Sequence, residues 1–266
     1  MHLAAGAQKV HLNVLGGFSN YQGDLQSARL TFNNIKPAFG AGLYYEVTEK
    51  LYIRGQVVFA KVTGADSTGT TVKKRNLSFS SPVTEFHLAI EYDLLNVYEH
   101  GWAPYLFAGI GFFKFNPSAK DSLGNKVYLQ PLGTEGQGFY NGRTKYALSS
   151  MVIPFGGGLK FALNDNTMLR LEAGLRKTST DYLDDVSTTY ADRNDLLINN
   201  GAKAVEMAFR GDELKPPLAY PGQGITRGSP RRTDYYYIVG ASVSFRINNA
   251  NSGGSKNGLG CPVRVL

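Results

Sequence analysis

The sequence predicts an all-β fold, an eight-stranded antiparallel barrel that crosses a membrane with strands instead of helices. Three observations predict it: eight segments of strand-like content, connections that alternate between short and long, and a two-residue period that sets charged side chains on one face and apolar ones on the other.

Composition sets the frame. A chain of 266 residues is ample for one domain with a filled core. Sixteen Tyr and 15 Phe against one Trp, with 31 Gly and only 18% charged residues, suit strands and turns better than helices. The most apolar stretch, WAPYLFAGIGFF at 102–113, is much shorter than the roughly 20 residues that a membrane-spanning helix needs. The net charge of +7 is scattered along the chain, which argues against nucleic acid as a partner. A solvated mixed surface accounts for it, and a basic surface at the loops would also meet outer-membrane lipid and the phosphates of lipopolysaccharide.

The strand segments lie near residues 9–18, 35–47, 51–62, 83–94, 102–115, 150–162, 167–177 and 234–247. About ten residues is the span that a tilted strand needs to cross an outer membrane. Between them, Thr48 to Lys50, Leu95 to Gly101 and Leu163 to Asn166 are short, whereas residues 19–34, 63–82, 116–149 and 178–233 are long. Strict alternation of this kind describes an outer-membrane, OmpA-like barrel with short periplasmic turns and long extracellular loops. A soluble lipocalin-like barrel would not carry four such loops on one end.

The period-two pattern is clearest in the seventh segment, where Leu169, Leu171, Ala173 and Leu175 oppose Arg170, Glu172, Gly174 and Arg176. The fourth sets Phe86, Leu88, Ile90 and Tyr92 against Glu85, His87, Ala89 and Glu91. The third sets Leu51, Ile53, Val57 and Phe59 against Tyr52, Arg54 and Gln56. The last sets Tyr235, Tyr237, Val239, Ala241, Val243 and Phe245 against Tyr236, Gly240, Ser242, Ser244 and Arg246. Apolar residues should face lipid and charged ones the interior, where Gly40, Gly42, Gly109, Gly111, Gly156, Gly157 and Gly158 leave room for long side chains or permit bends. Eight strands enclose a lumen that side chains fill, so no diffusion channel is expected.

Arg54, Glu85, Glu91, Arg170, Glu172 and Arg176 should then form a lumen salt-bridge network, because an unpaired buried charge costs several kcal/mol. A catalytic acid/base cluster is the competing account of the same residues. His87 invites comparison with outer-membrane lipid hydrolases, but no GxSxG elbow is present, and no catalytic or cofactor-binding residue is assigned. Asp181, Asp184, Asp185, Asp192 and Asp195 in DYLDDVSTTYADRND could supply hard oxygens to calcium, yet their spacing is not that of a calcium loop, and no metal is assigned. Asp and Thr here also suit helix caps ahead of LLINNGAKAVEMAF, and GTEGQG at 133–138 reads as a turn-rich loop.

Residues 1–8 read as a residual leader or tag, since Ala5, Gly6 and Ala7 resemble the small-residue end of a secretory signal. Residues 9–247 form the barrel, and 248–266 a flexible tail that should hang into the periplasm and present Cys261, Pro262, Val263 and Val265 to a partner. Cys261 is the one cysteine of the chain, so any disulfide it makes is intermolecular.

The segments GGFSNYQGDL, RNLSFSSPVTEFHLAIEYDLL and IPFGGGLKFAL, followed by TSTDYLDDVSTTYAD, resemble the PorG-like outer-membrane barrels of Bacteroidetes, with TDYLDDVS the most specific motif. The resemblance runs from about residue 8 to 247 and covers nearly the whole barrel. It implies the barrel component of the type IX secretion system. That role is non-enzymatic anchoring or assembly with a periplasmic ring lipoprotein and its ring partner, supporting export of cargo and, in some species, gliding. A lipid-modifying outer-membrane enzyme, or a related structural barrel with another task, is the alternative.

Overall fold

The structure is a computed structural model that describes residues 9–26, 34–68, 74–231 and 233–247. Eight long strands form its wall: β1 (Lys9–Gln22), β2 (Lys36–Thr48), β3 (Leu51–Ala65), β4 (Ser78–Asp93), β5 (Trp102–Phe115), β8 (Ser149–Asn164), β9 (Thr167–Thr178) and β10 (Tyr235–Arg246). A small hairpin, β6 (Ser118–Lys120) and β7 (Lys126–Tyr128), rises from the third long loop. Three short helices, α1 (Val97–His100), α2 (Arg193–Asn200) and α3 (Ala202–Ala208), complete the elements used below.

Each wall strand pairs antiparallel with its neighbours, and β1 closes the sheet against β10, with Val14 opposite Val243 and Gly17 opposite Gly240. No wall strand is left with an open edge, which satisfies the backbone in a solvent that cannot hydrogen-bond to it. The alternation read from the sequence decides which face is which. Phe18, Phe39, Ile90, Ile110 and Phe112 are between 60% and 64% exposed, while Arg54, Glu85, Glu91, Arg170 and Arg176 are 0% exposed. The protein is therefore apolar outside and charged within.

The periplasmic-type turns are tight for local reasons. Thr48 Oγ1 accepts from Lys50 N and Leu51 N, at 3.3 and 3.1 Å, where β2 turns into β3. The Asn96 side chain accepts from Tyr98 N at 3.0 Å and caps α1, which Gly101 ends with a φ of +77°. At the other end the wall reaches farther than the hydrophobic pattern suggests: β1 continues to Gln22, β3 to Ala65, and β4 begins at Ser78. Thr63, Ser78 and Ser80 face outward there, so the apolar signal fades above the membrane while the strand ladder goes on.

The interior is divided by height. Its turn half holds the charges. Its loop half is an apolar plug in which Val62, Phe79, Val83, Phe113, Phe115 and Val152 from the wall pack with Leu25, Leu183, Val186 and Met207 from the loops. No helix among the described residues is long and apolar enough to cross a membrane, so the strands alone can do so.

Ile110 stands outward near the middle of β5. Ile110→Arg is expected to lower the folding free energy in a bilayer by about 2–4 kcal/mol, measured by reversible denaturant titration in lipid vesicles, while Ile110→Val stays within about 1 kcal/mol. Equal stability of the two variants would contradict lipid contact on this face.

Candidate functional site

The lumen network is built from side chains that strand alternation points inward. Glu91, on β4, is its hub: Arg54 Nη1 lies 3.1 Å from its Oε2, Lys160 Nζ 2.7 Å and Arg170 Nε 3.6 Å from its Oε1. Arg54 reaches across the barrel to grip both oxygens of Glu172, at 2.6 and 3.0 Å, a bidentate pairing that fixes the guanidinium plane. Glu172 also accepts from the Tyr105 hydroxyl at 3.1 Å. A level higher, Glu85 lies 2.6 Å from His87 Nδ1, faces Arg176 Nε at 3.6 Å and accepts from the Tyr236 hydroxyl. The six residues read from the sequence thus fall into two linked tiers, Arg54, Glu91, Arg170 and Glu172 in one, Glu85 and Arg176 in the other.

Three partners escaped the sequence reading. Lys160 binds Asp93 through both carboxylate oxygens, at 2.8 and 2.7 Å, and lies 3.7 Å from the centre of the Tyr52 ring. Glu46 sits at the turn end with Lys9 Nζ at 3.1 Å, His11 Nε2 at 3.4 Å and the Tyr98 hydroxyl at 2.6 Å. Strict alternation through Leu159, Lys160 and Phe161 carried the signal for Lys160, but three consecutive glycines before it obscured the phase. With Lys160 and Asp93 included, Arg54, Lys160, Arg170 and Arg176 balance Glu85, Glu91, Asp93 and Glu172, and the lumen carries no excess of either sign in its midsection.

Glycine makes room for this network where a side chain cannot. A Cβ on Gly174 would lie 2.4 Å from Arg176 Nη1 and 2.8 Å from Phe107 Cζ, and one on Gly158 would lie 2.0 Å from the Leu171 carbonyl oxygen.

His87 is fully buried, beside Glu85 and below the apolar plug. A lipid substrate on the outer face has no path to it through the wall.

The second cluster is the cap over the mouth, where all four long loops meet. Arg227, buried, places Nη1 3.0 Å from Glu135 Oε1, donates from Nε to the Ala208 carbonyl at 3.1 Å, and holds Nη2 3.6 Å from Asp185. Arg75 grips both oxygens of Asp66, at 3.2 and 2.6 Å, donates to the Asp24 carbonyl at 2.9 Å and reaches the Arg227 carbonyl. Glu135, inside GTEGQG, accepts from Ser187 N, Thr188 N and the Thr188 hydroxyl at 2.9, 3.0 and 2.6 Å. The turn-rich loop is thus a carboxylate clamp, presented by glycines of positive φ at 133 and 136.

The acidic residues of DYLDDVSTTYADRND do not converge. Asp184 faces the lumen mouth and accepts from Tyr21, Leu25 N and Val186 N, at 2.6, 3.2 and 2.9 Å. Asp185 faces the other way, to Thr134 and Tyr146 at 2.6 and 2.7 Å, with its backbone in the left-handed region. Asp192 caps α2 by accepting from Asn194 N and Asp195 N, and Asp195 accepts from Tyr140. Among the described residues no group of three His, Cys, Asp or Glu is arranged to hold a metal ion.

The Tyr21 hydroxyl lies 2.6 Å from Asp184 and 3.0 Å from Asp234. One phenol proton cannot serve two carboxylates, so the second contact needs a proton on a carboxyl group. Burial accordingly raises Asp184 to about 7 and pushes Asp234 well above its usual range. Burial likewise raises Asp181 to about 8 and Asp185 to about 6.

The residues Cys261, Pro262, Val263 and Val265 lie outside the described residues, as do 1–8.

A closed sheet with a lipid-facing apolar belt and a neutralised, plugged lumen defines a transmembrane β-barrel of the outer-membrane type. The chain belongs to the family described as "Domain of unknown function (DUF6089)", whose sequence profile matches residues 1–203. No curated protein matches it. Among solved structures it is similar to Neisserial surface protein A, at 10% identity and a TM-score of 0.48 over 91% of this chain and 100% of that one. It is also similar to a major outer membrane protein of Thermus thermophilus, at 12% identity and 0.45 over 91% and 100%. Ail, the attachment invasion locus protein of Yersinia pestis, gives 12% and 0.38 over 89% and 98%. The barrel assignment rests on strand closure, not on these likenesses.

Removing the hub carboxylate leaves the buried lumen with one positive charge in excess and takes the carboxylate from Arg170, while Arg54 keeps Glu172 and Lys160 keeps Asp93. Glu91→Ala is expected to cost about 3–5 kcal/mol, read as a lowered midpoint of the folded, fast-migrating band on unboiled gels, with Thr84→Ala, which faces outward, near zero. The cap carboxylates have raised values in the folded state, so the folded cap binds protons that the unfolded one releases above about pH 4. Its stability is full below about pH 4, declines as pH rises from there, and is lost by the time pH has passed the folded values of about 6, 7 and 8 at Asp185, Asp184 and Asp181. Limited proteolysis of the loops should accelerate between about pH 5.5 and about pH 8.5, and Asp184→Asn should flatten the dependence; a rate that slows with pH would contradict the assignment.

Proposed function

We propose that this protein is a non-enzymatic barrel of the bacterial outer membrane that anchors or assembles a larger machine and conducts no solute. The observation that carries the reading is occlusion at two levels: a charge-balanced lumen threaded by Arg54, Glu91, Lys160 and Glu172, and an apolar plug sealed by loops clamped at Arg75 and Arg227. The charged side chains of both are paired across strands and loops, leaving the outer surfaces as the means of action.

The finer reading is a barrel component of type IX protein secretion, working with a periplasmic ring lipoprotein and its ring partner. It is supported by the likeness of the sequence motifs to PorG-like barrels. TDYLDDVS, the most specific of them, supplies Asp184 and Asp185 to the cap, so the motif acts here as architecture. The seclusion of His87 within the wall favours this reading over a lipid-modifying enzyme.

The test is a pull-down of the tagged protein from gently solubilised native outer membranes, with and without reductant, beside single-channel recording in planar bilayers. Recovery of a periplasmic lipoprotein together with electrical silence is expected, and loss of the partner in Cys261→Ser would assign the contact to the tail. Stable conductance steps, or a barrel recovered alone under several detergents, would overturn the proposal.

A further inference from the structure

The outward face of the wall is uncharged except at three positions. Among the described residues, the lipid-facing sites of the eight strands carry only Lys61 on β3, Lys114 on β5 and Lys177 on β9, and all three are exposed. They enter none of the ion pairs among the described residues, which join inward or loop side chains.

These lysines share one height. They lie ten, twelve and ten residues from the turn ends of their strands, at Leu51, Trp102 and Thr167. At about 3.3 Å per residue and a tilt near 40°, that is roughly 25–30 Å above the turn side, at or just above the top of an apolar band roughly 25 Å tall. The three cations therefore stand at the upper edge of the band, on the loop side. They are also evenly spaced around the wall. One strand, β4, separates Lys61 from Lys114, and one strand, β8, separates Lys114 from Lys177; with register offsets of two and four residues along the strands, the side chains start roughly 12 and 16 Å apart.

The surroundings are complementary to a lipid. Lys114 is flanked in register by Thr84 and Ser149, whose hydroxyls can donate beside it. Below the cations, Phe59, Phe112, Ile110 and Ile153 present an apolar face, each at least 45% exposed. The outward positions of the remaining strands, β10, β1 and β2, carry no charge at this level.

We propose that Lys61, Lys114 and Lys177 form a binding arc for the phosphates of a multiply phosphorylated, multi-acyl glycolipid of the outer leaflet, the lipid A chemistry, with its acyl chains on the Phe59–Phe112 face. The inference rests on the outer-membrane placement above. Spaced cations suit a headgroup carrying more than one phosphate, and a broad apolar face suits more than two chains. The arc fixes which way the barrel faces and gives it one preferred lipid neighbour.

The experiment uses the full chain refolded into phosphatidylcholine vesicles doped with bisphosphorylated lipid A, extracted in mild detergent, with retained lipid counted by native mass spectrometry. Each lysine at such a surface contributes about fivefold, so the variant Lys61→Gln, Lys114→Gln, Lys177→Gln should lose retention on the order of a hundredfold. Enzymatically dephosphorylated lipid A should be lost alike, and Lys126→Gln, off the wall on β7, should change nothing. Retention by the triple variant equal to that of the unaltered chain, or phosphatidylglycerol held as well as lipid A, would overturn the proposal. Failure of the unaltered chain to give a protease-resistant, fast-migrating band in vesicles would instead sink the membrane placement itself.

Discussion

Balanced charge in a narrow lumen is the constraint on which the rest of this structure depends. Eight strands enclose too little space for water to solvate a guanidinium freely, so each inward Arg or Lys must meet a carboxylate from another strand. Glu91 meets three cations, and Arg54 joins β3 to β4 and across the barrel to β9. The barrel radius, the inward phase of each strand and the glycines beside Arg176 are set by what the network requires. Such networks add little net stability over an apolar filling, but they penalise any slip of register, because a one-residue shift would send charges into lipid.

The cap works by the same rule with a different balance. Arg75 ties Asp66 of its own loop to the Asp24 and Arg227 carbonyls of two others, and Arg227 ties Glu135 of the third loop to Asp185 and Ala208 of its own, so the four connections hold one arrangement although helices α2 and α3 are short. Acid outnumbers base near Tyr21, where Asp184 and Asp234 meet, and protons make up the difference. The lumen is neutral through ion pairs, the cap partly through protonation.

The barrel was legible in the sequence because a two-residue period and the spacing of turns are local signals. The phases of β3, β4, β9 and β10 followed directly from Arg54, Glu85, Arg170 and Tyr236 alternating with aliphatic neighbours. Lys160 was hidden because Gly156, Gly157 and Gly158 have no side chain to mark a face, and Asp93 because it ends its strand. The upper reach of β1, β3 and β4 was hidden because outward residues turn polar above the membrane. The cap was least legible: Arg75, Glu135 and Arg227 are distant in sequence, and nothing local says that Asp184 and Asp185 look in opposite directions. The acidic loop suggested metal chemistry by composition, whereas Asp184, Asp185, Asp192 and Asp195 are engaged by hydroxyls or amides in separate places.

The closing seam between β1 and β10 has a consequence for how the molecule is made. Asn13 donates to Ser242 across that seam, 229 positions apart, and Tyr21 meets Asp234 from 213 positions away. Contacts so distant along the chain pay their loop-closure entropy late, which makes folding slow. Until residues 235–246 arrive, β1 and β9 each present a bare row of amides and carbonyls beside an unneutralised lumen. The slow step of biogenesis is thus the meeting of the first strand with the last, and whatever shields those two margins in the meantime decides whether the chain becomes a barrel or an aggregate.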